Sequence, residues 1–195
     1  TPIGESNPVS PKSIYGVTKL AGEEFVKAYH QRHGLDYTIV RFFNVYGPGQ
    51  VAEFVIPKFI RAVRDSTPLT INGDGTQVRS FCYVDDAALG VALALENERA
   101  NAEIFNIGND QAAVTIRELA KEVLAQLGKS QEIRFVRNEW LDRTNAREIL
   151  NRIPDISKAK TLLGYRPVVS LPEGIARTVS SNNIPHSWPK KAEGA

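Results

Sequence analysis

Tyr15 and Lys19 stand four residues apart in the stretch SIYGVTKLAGEEF. Positions i and i+4 share one face of a helix, so this spacing holds a phenol beside an ammonium. A free phenol titrates near pH 10 and is a poor base at neutrality. A cation held next to it favours the phenolate and makes it a proton acceptor. On a plain surface helix the same two side chains would do nothing of the kind. Two arginines offer a second chemistry. Arg79 and Arg152 carry groups that are always charged and grip phosphate oxygens in a fork, although a lone arginine is more often just solvated. Asn44 closes an apolar run at a turn, where its side chain can satisfy its own backbone or reach outward. Arg41, inside that run, reads as half of a structural ion pair.

These groups need elements to hold them. Ser10 followed by Pro11 predicts a helix start, and Ile14, Val17, Ala21, Phe25 and Ala28 recur at helical spacing until Gly34. Residues 36–43 are β-rich and apolar enough for a strand covered on both faces. NVYGPGQ reads as a turn, and residues 55–64 as a short helix. Residues 69–72 and 79–84 read as two strands around an Asp74-Gly75 turn. Asp85 can cap a helix running to about residue 96. Residues 102–107 form a strand closed by Gly108. Thr115 with Glu118 predicts a capping box, as does Ser170 with Glu173. Residues 133–136 read as a strand, and residues 157–163 as a helix stopped by Gly164. Alternating strands and helices imply α/β layering with parallel pairing.

Composition narrows the classes. The 195 residues are 42% hydrophobic and 24% charged, which suits a soluble globular chain with a real core. A net charge of +2 without a basic stripe gives no nucleic-acid footprint. No apolar run has the length of a membrane span, and no secretion leader is evident. The single cysteine, Cys82, fits a reducing, cytoplasmic setting and reads as a buried inert thiol between Phe81 and Tyr83. His30, His33 and His186 lack metal-ligand spacing, so no metal is expected.

YGVTKLAGEE, followed by RFFNVYGPGQ, VIPKFI, LTINGDGTQVRSFCYVDDAA, FNIGN and RIPDISKAKTLLGYRP, resembles the extended short-chain dehydrogenase/reductase family. The resemblance is closest to its NAD-dependent nucleotide-sugar epimerases and dehydratases, the UDP-glucose 4-epimerase type, and covers nearly all the chain except the tail. It implies that Tyr15 is the acid/base tyrosine and that Lys19 tunes it and bonds the nicotinamide ribose. It implies that Asn44, Arg79 and Arg152 hold the diphosphate and sugar. Ile71, Asn72 and Gly73 would run beside the base, while Asp155 would either bond the nucleotide or cap the next helix. Val55, Pro57 and Phe59 match a segment skirting the sugar pocket, where most apolar residues are core.

The family's Gly-rich NAD turn and its catalytic Ser or Thr do not occur in this sequence. Methionine is absent and the first residue is Thr1. The expected fold is therefore the C-terminal part of a Rossmann-type sheet plus a small α/β substrate domain. Residues 1–50 would be the remnant of the NAD domain, residues 51–182 mainly the substrate domain, and residues 183–195 a tail. The expected function is an NAD-dependent nucleotide-sugar epimerase, inactive as this piece. A dehydratase, a UDP-glucuronate decarboxylase or a silent nucleotide-sugar-binding module are the alternatives. Homo-oligomers are expected, through an open sheet edge or the Tyr15 helix.

Overall fold

The computed structural model describes residues 2–11, 13–136 and 150–181. The tail and His186 lie outside the described residues. Ser13, not Ser10, caps the first helix, α1 (Ile14–His33): its hydroxyl accepts the Gly16 amide at 3.1 Å. Ser10 and Pro11 precede the helix. Gly34 ends it at φ 67°, a left-handed conformation natural to glycine, and donates to the His30 carbonyl at 2.8 Å.

The remaining elements follow in order: β1 (Thr38–Phe42), β2 (Val45–Tyr46), α2 (Val55–Arg64), β3 (Leu69–Asn72), β4 (Val78–Ser80) and β5 (Cys82–Tyr83). Then come α3 (Val84–Glu96), a 3-10 turn (Glu98–Ala100), β6 (Glu103–Ile107), β7 (Ala113–Thr115) and α4 (Ile116–Gln126). The chain closes with β8 (Ile133–Val136), β9 (Asn151–Arg152), α5 (Ser157–Leu163) and α6 (Leu171–Ser180). The Thr115–Glu118 capping box forms in full, and Gly164 stops α5 in the left-handed region at φ 69°. Ser170 caps α6 by accepting the Glu173 amide. Asp85 does not cap α3. It lies in the first turn, where a carboxylate suits the positive end of the helix dipole.

Pairing is mostly parallel. β1 pairs with β6, β2 with β5, and β3 with β8, all parallel. β4 lies between antiparallel β7 and parallel β9. So β3 and β4 are not a hairpin, as the Asp74-Gly75 turn had implied. Asp74 takes both the amide and the hydroxyl of Thr76, at 2.9 and 2.7 Å. That local turn carries the chain from one sheet to another. The expected turn at NVYGPGQ also contains strand, because Val45 and Tyr46 pair with Cys82 and Tyr83.

Two cores result. One joins α2, β3, α4 and α6 around Ile56, Phe59, Leu69, Ile71, Leu119 and Ile175. The other joins α3, β6 and α5 around Phe105, Ile107, Ile156 and Tyr165. β5 separates them by simple alternation: Tyr83 belongs to the first core and Cys82 to the second. Burial pushes the Cys82 thiol up to about 11, which makes it a packing group and a poor nucleophile.

Helix α1 lies against the outside of β1, and not on the side its apolar spacing implied. Ile14 is 86% exposed and Phe25 67%, and Val17 also faces out. The half-buried side carries Leu20 and Val26 together with Glu23, Lys27 and His30. Arg41 of β1 donates to both oxygens of Glu23, at 2.8 and 2.6 Å, and to the Glu5 carbonyl at 3.1 Å. That bidentate bond is the structural ion pair expected of Arg41. Nor is β1 covered evenly, since Phe42 is half-exposed.

The Arg41 hydrogen bonds, aided by its charge, hold the Glu23 carboxyl below the usual range. A depressed folded pKa means stability that is complete above the unfolded value near 4.3 and lost as pH falls through the folded one. Glu23→Gln should cost about 2 kcal/mol at pH 7. In urea titrations its gap from the parent should hold down to about pH 5 and shrink below the ordinary carboxylate range. A gap independent of pH would remove the charge from this account.

Candidate functional site

Arg79 and Arg152 are cross-strand neighbours, in register on β4 and β9. In-register residues on adjacent strands project from the same face, and the strands are about 4.8 Å apart. The two arginines are thus neighbours on one face of the ladder. Arg79 Nη1 donates to the Val78 carbonyl at 2.8 Å and to the Leu150 carbonyl at 3.3 Å, which ties it to the start of β9. Arg152 is exposed and its guanidinium lies 5.8 Å from the centre of the Phe43 ring.

Asn44 adjoins both. Its φ of 41° is left-handed, a region that asparagine tolerates better than most residues. Its Nδ2 donates to the Ser80 carbonyl at 2.7 Å, one residue past Arg79, and its own carbonyl accepts the Cys82 amide at 3.2 Å. Turn residue and site residue are therefore one: the backbone bends where the side chain is anchored beside the arginines.

Tyr15 and Lys19 reach the same edge from another direction. α1 runs antiparallel to β1, because His30 packs on Tyr37 before the strand while Glu23 meets Arg41 near its end. Lys19 and Tyr15 are one and two turns further, about 6 and 12 Å at 1.5 Å per residue. They overhang the carboxyl ends of the parallel pair, where ligands of open α/β sheets bind. Tyr15 is 72% exposed, and Lys19 Nζ lies 5.4 Å from the centre of its ring.

The other expected residues divide. Ile71 is buried in the first core, Asn72 is exposed, and Gly73 turns at φ 76° on the way out of β3. They belong to the β3–β8 sheet and not to the strands carrying the arginines. Asp155 accepts the Ser157 amide at 2.9 Å at the start of α5, and bonds from Ser157 hold its carboxyl below the ordinary range. Pro57 and Phe59 are core, with Val55 packed against them. Two surface grooves lie elsewhere, one beside Leu93 and Leu163 and one between α4 and the segment 167–172.

Sequence reasoning missed Asn106, which is 1% exposed. Its Nδ2 donates to the Ile3 carbonyl at 2.9 Å and to the Asp155 carbonyl at 3.1 Å. The signal was one amide inside the apolar strand run IFNI. Ser80, Asp86 and Phe43 were missed likewise. Asp86 is buried and accepts the Val168 and Val169 amides at 3.1 and 3.0 Å.

The model of the NAD dependent epimerase/dehydratase family matches residues 1–108. The chain belongs to that family. UDP-glucuronate 4-epimerase of Thermodesulfobacterium geofontis is 36% identical over 177 residues, 90% of this chain and 52% of that protein. The crystal structure of UDP-glucuronic acid 4-epimerase from Bacillus cereus, with UDP-glucuronic acid and NAD, superposes with a TM-score of 0.84 at 35% identity. It covers 92% of this chain and 55% of the other. A dTDP-glucose 4,6-dehydratase from Streptomyces venezuelae with NAD bound gives 0.82 at 37% identity, over 92% of this chain and 54% of its own. The chain spans about half the length of the relatives it matches. These likenesses bear out the α/β, Rossmann-type reading of its sequence.

NAD is the family's cofactor. The exposed phenol–ammonium pair at the sheet's carboxyl edge fits the nicotinamide end of that cofactor. Among the described residues no glycine-rich turn leads from a strand directly into a helix, so the pyrophosphate end finds no cradle in them.

The strain at Asn44 can be measured. Asn44→Ala should lose about 2 kcal/mol in chemical denaturation, from the left-handed backbone and the lost Ser80 bond together. Asn44→Gly should lose less, since it relieves the backbone term. Equal losses would mean that the conformation carries no strain.

Proposed function

We propose that this chain supplies the substrate side and the proton-transfer tyrosine of an NAD-dependent epimerase that acts on a nucleoside-diphosphate sugar, a UDP-sugar in first place. The observation that carries the reading is the in-register pair Arg79 and Arg152, with Asn44 fixed beside it. A guanidinium grips phosphate oxygens in a fork, and a diphosphate offers oxygens enough for both. The B. cereus neighbour, solved with UDP-glucuronic acid and NAD, supports the choice of ligand.

Tyr15 would take the proton of a sugar hydroxyl at its phenolic oxygen as that carbon is oxidised, and return it on reduction. Lys19 would stabilise the charge that develops there and hold the nicotinamide ribose. Bound NAD supplies reversible hydride acceptance. Ile71, Asn72 and Gly73 would lie beside the base. We assign residues 1–50 to the cofactor side, with β6 packed back on β1, and residues 51–182 mainly to the substrate side. The two cores cross that boundary, since Val40 packs on the core of Cys82, Phe105, Ile107, Ile156 and Tyr165, so α3, β6 and α5 return to the cofactor side. A cytoplasmic location agrees with one buried, reduced cysteine. A dehydratase is the second reading, favoured by the 37% identity to the S. venezuelae enzyme.

Saturation-transfer NMR with UDP-glucose, UDP-glucuronate, dTDP-glucose and GDP-mannose tests this. One nucleotide sugar should bind selectively, and Arg79→Ala or Arg152→Ala should each weaken it at least about tenfold, as loss of a charged hydrogen bond does. Binding indifferent to both arginines would overturn the clamp. With NAD present, the product separates the reactions: an epimer for the first reading, a dehydrated keto-sugar for the second, and no turnover for a silent module.

We also propose that two copies associate through α1. Its outer stripe of Ile14, Val17, Phe25 and Tyr29 is exposed, and Gly22 leaves room for a close neighbour. Sedimentation should find a dimer that Phe25→Glu splits. A stable dilute monomer of the parent chain would dismiss the idea.

A further inference from the structure

We propose that Phe43 is a positioning residue for the anion site: its ring holds the Arg152 guanidinium in place beside Arg79 before the ligand arrives. The proposal rests on the reading of Arg79 and Arg152 as a diphosphate clamp.

Four observations converge on it. The Arg152 guanidinium sits 5.8 Å from the Phe43 ring centre, within the range of a cation–π contact. The ring is almost fully buried, 6% exposed, while the arginine is exposed. A fixed apolar plate thus carries a long, otherwise mobile side chain.

The two partners are also held independently. The Phe43 amide donates to the Ile107 carbonyl at 3.0 Å, which fixes it to the end of β6. Arg152 is fixed by its register with Arg79 on β4.

Gly108 makes the approach possible. A Cβ there would sit 2.9 Å from both Phe43 Cβ and Pro154 Cγ. Only a bare backbone lets Phe43 and the segment just after Arg152 pack against it from both sides.

Finally, Phe43 immediately precedes Asn44, so one short stretch sets both the amide and the plate under the arginine. A flexible arginine loses rotamer freedom when it grips an anion, and a side chain already stacked loses less. An aromatic face also attracts the cation without neutralising it, as a carboxylate would, so the phosphate-binding charge is kept. The preceding residue, Phe42, is half-exposed and offers no such buried plate.

The test compares UDP binding by the parent chain, Phe43→Leu, Phe43→Tyr, Arg152→Ala and Phe43→Leu/Arg152→Ala, each with a urea midpoint. Phe43→Leu should weaken UDP binding about three- to thirtyfold, the range of a cation–π contact, and Phe43→Tyr should restore it. In the Arg152→Ala background the Leu substitution should add no further loss. An equal loss in both backgrounds would make Phe43 a packing residue only and overturn the proposal. Loss with Arg152→Ala but none with Phe43→Leu would overturn it and leave the clamp standing. No loss with Arg152→Ala would remove the clamp itself and this proposal with it. A ligand-free measurement stands beside these. The Arg152 δ-methylene protons should resonate upfield, by the ring current, and lose that shift in Phe43→Leu. Their presence at the position of a solvated arginine in the parent chain would also overturn the proposal.

Discussion

The buried Asn106 amide holds together three lengths of chain that share no sequence neighbourhood. From the middle of β6 it donates to Ile3, near the start of the chain, and to Asp155, just after β9. Ile3 and the 153–155 segment are themselves bonded, with Ile3 donating to Ile153 at 2.8 Å and Asp155 to Ile3 at 2.9 Å. Two parts of the candidate site adjoin this knot in the chain. The segment after Ile3 leads into α1 and Tyr15, while the residues before Asp155 are β9 and Arg152. A polar group this deep is costly unless its bonds are made, and here both bonds of the amide nitrogen are made, one of them to the Ile3 carbonyl that also accepts the Asp155 amide. The segment that leads into the Tyr15 helix and the segment that follows Arg152 are thereby joined at one side chain.

β5 performs the complementary separation. Two residues long, it faces one core with Cys82 and the other with Tyr83. Its partner strand β2 follows directly on Asn44, and the Tyr46 hydroxyl donates to the Leu171 carbonyl at 3.3 Å at the start of α6. Gly174 has no side chain at the point where the Tyr46 ring passes, and a Cβ would fall within 3.0 Å of the Tyr83 ring as well. The left-handed turn at Asn44 is thus clamped from both cores. That is why a strained backbone can persist there: it is over-determined by its surroundings.

Legibility in the sequence followed the range of the interactions. Local signals were read well, such as the Thr115–Glu118 box, the Gly34 and Gly164 stops and the helix at 55–64, because each is decided within a few residues. Pairing was read poorly. Asp74-Gly75 looked like a hairpin turn, but the strands on either side found partners β8, β7 and β9 more than thirty residues away. The amphipathic spacing of α1 was real, yet its orientation was not in the pattern. The Arg41–Glu23 pair holds a mixed face of the helix, with Leu20 and Val26, at the sheet and leaves Ile14, Val17, Phe25 and Tyr29 outside. The candidate site residues stood out as a family pattern, whereas the buried groups around them did not. Asn106, Asp86 and Phe43 act through contacts that no spacing rule anticipates.

The same contrast bears on how the arginines work. Arg79 and Arg152 stand in register across a parallel ladder, and spacing says nothing of how each is held. Arg79 Nη1 bonds the Val78 and Leu150 carbonyls, whereas the Arg152 guanidinium lies over the Phe43 ring. An aromatic face orients a guanidinium without cancelling its charge. A carboxylate in the place of Phe43 would make a stronger resting contact, but an anion drawn to Arg152 would have to displace it, and the displaced pair would be subtracted from the affinity.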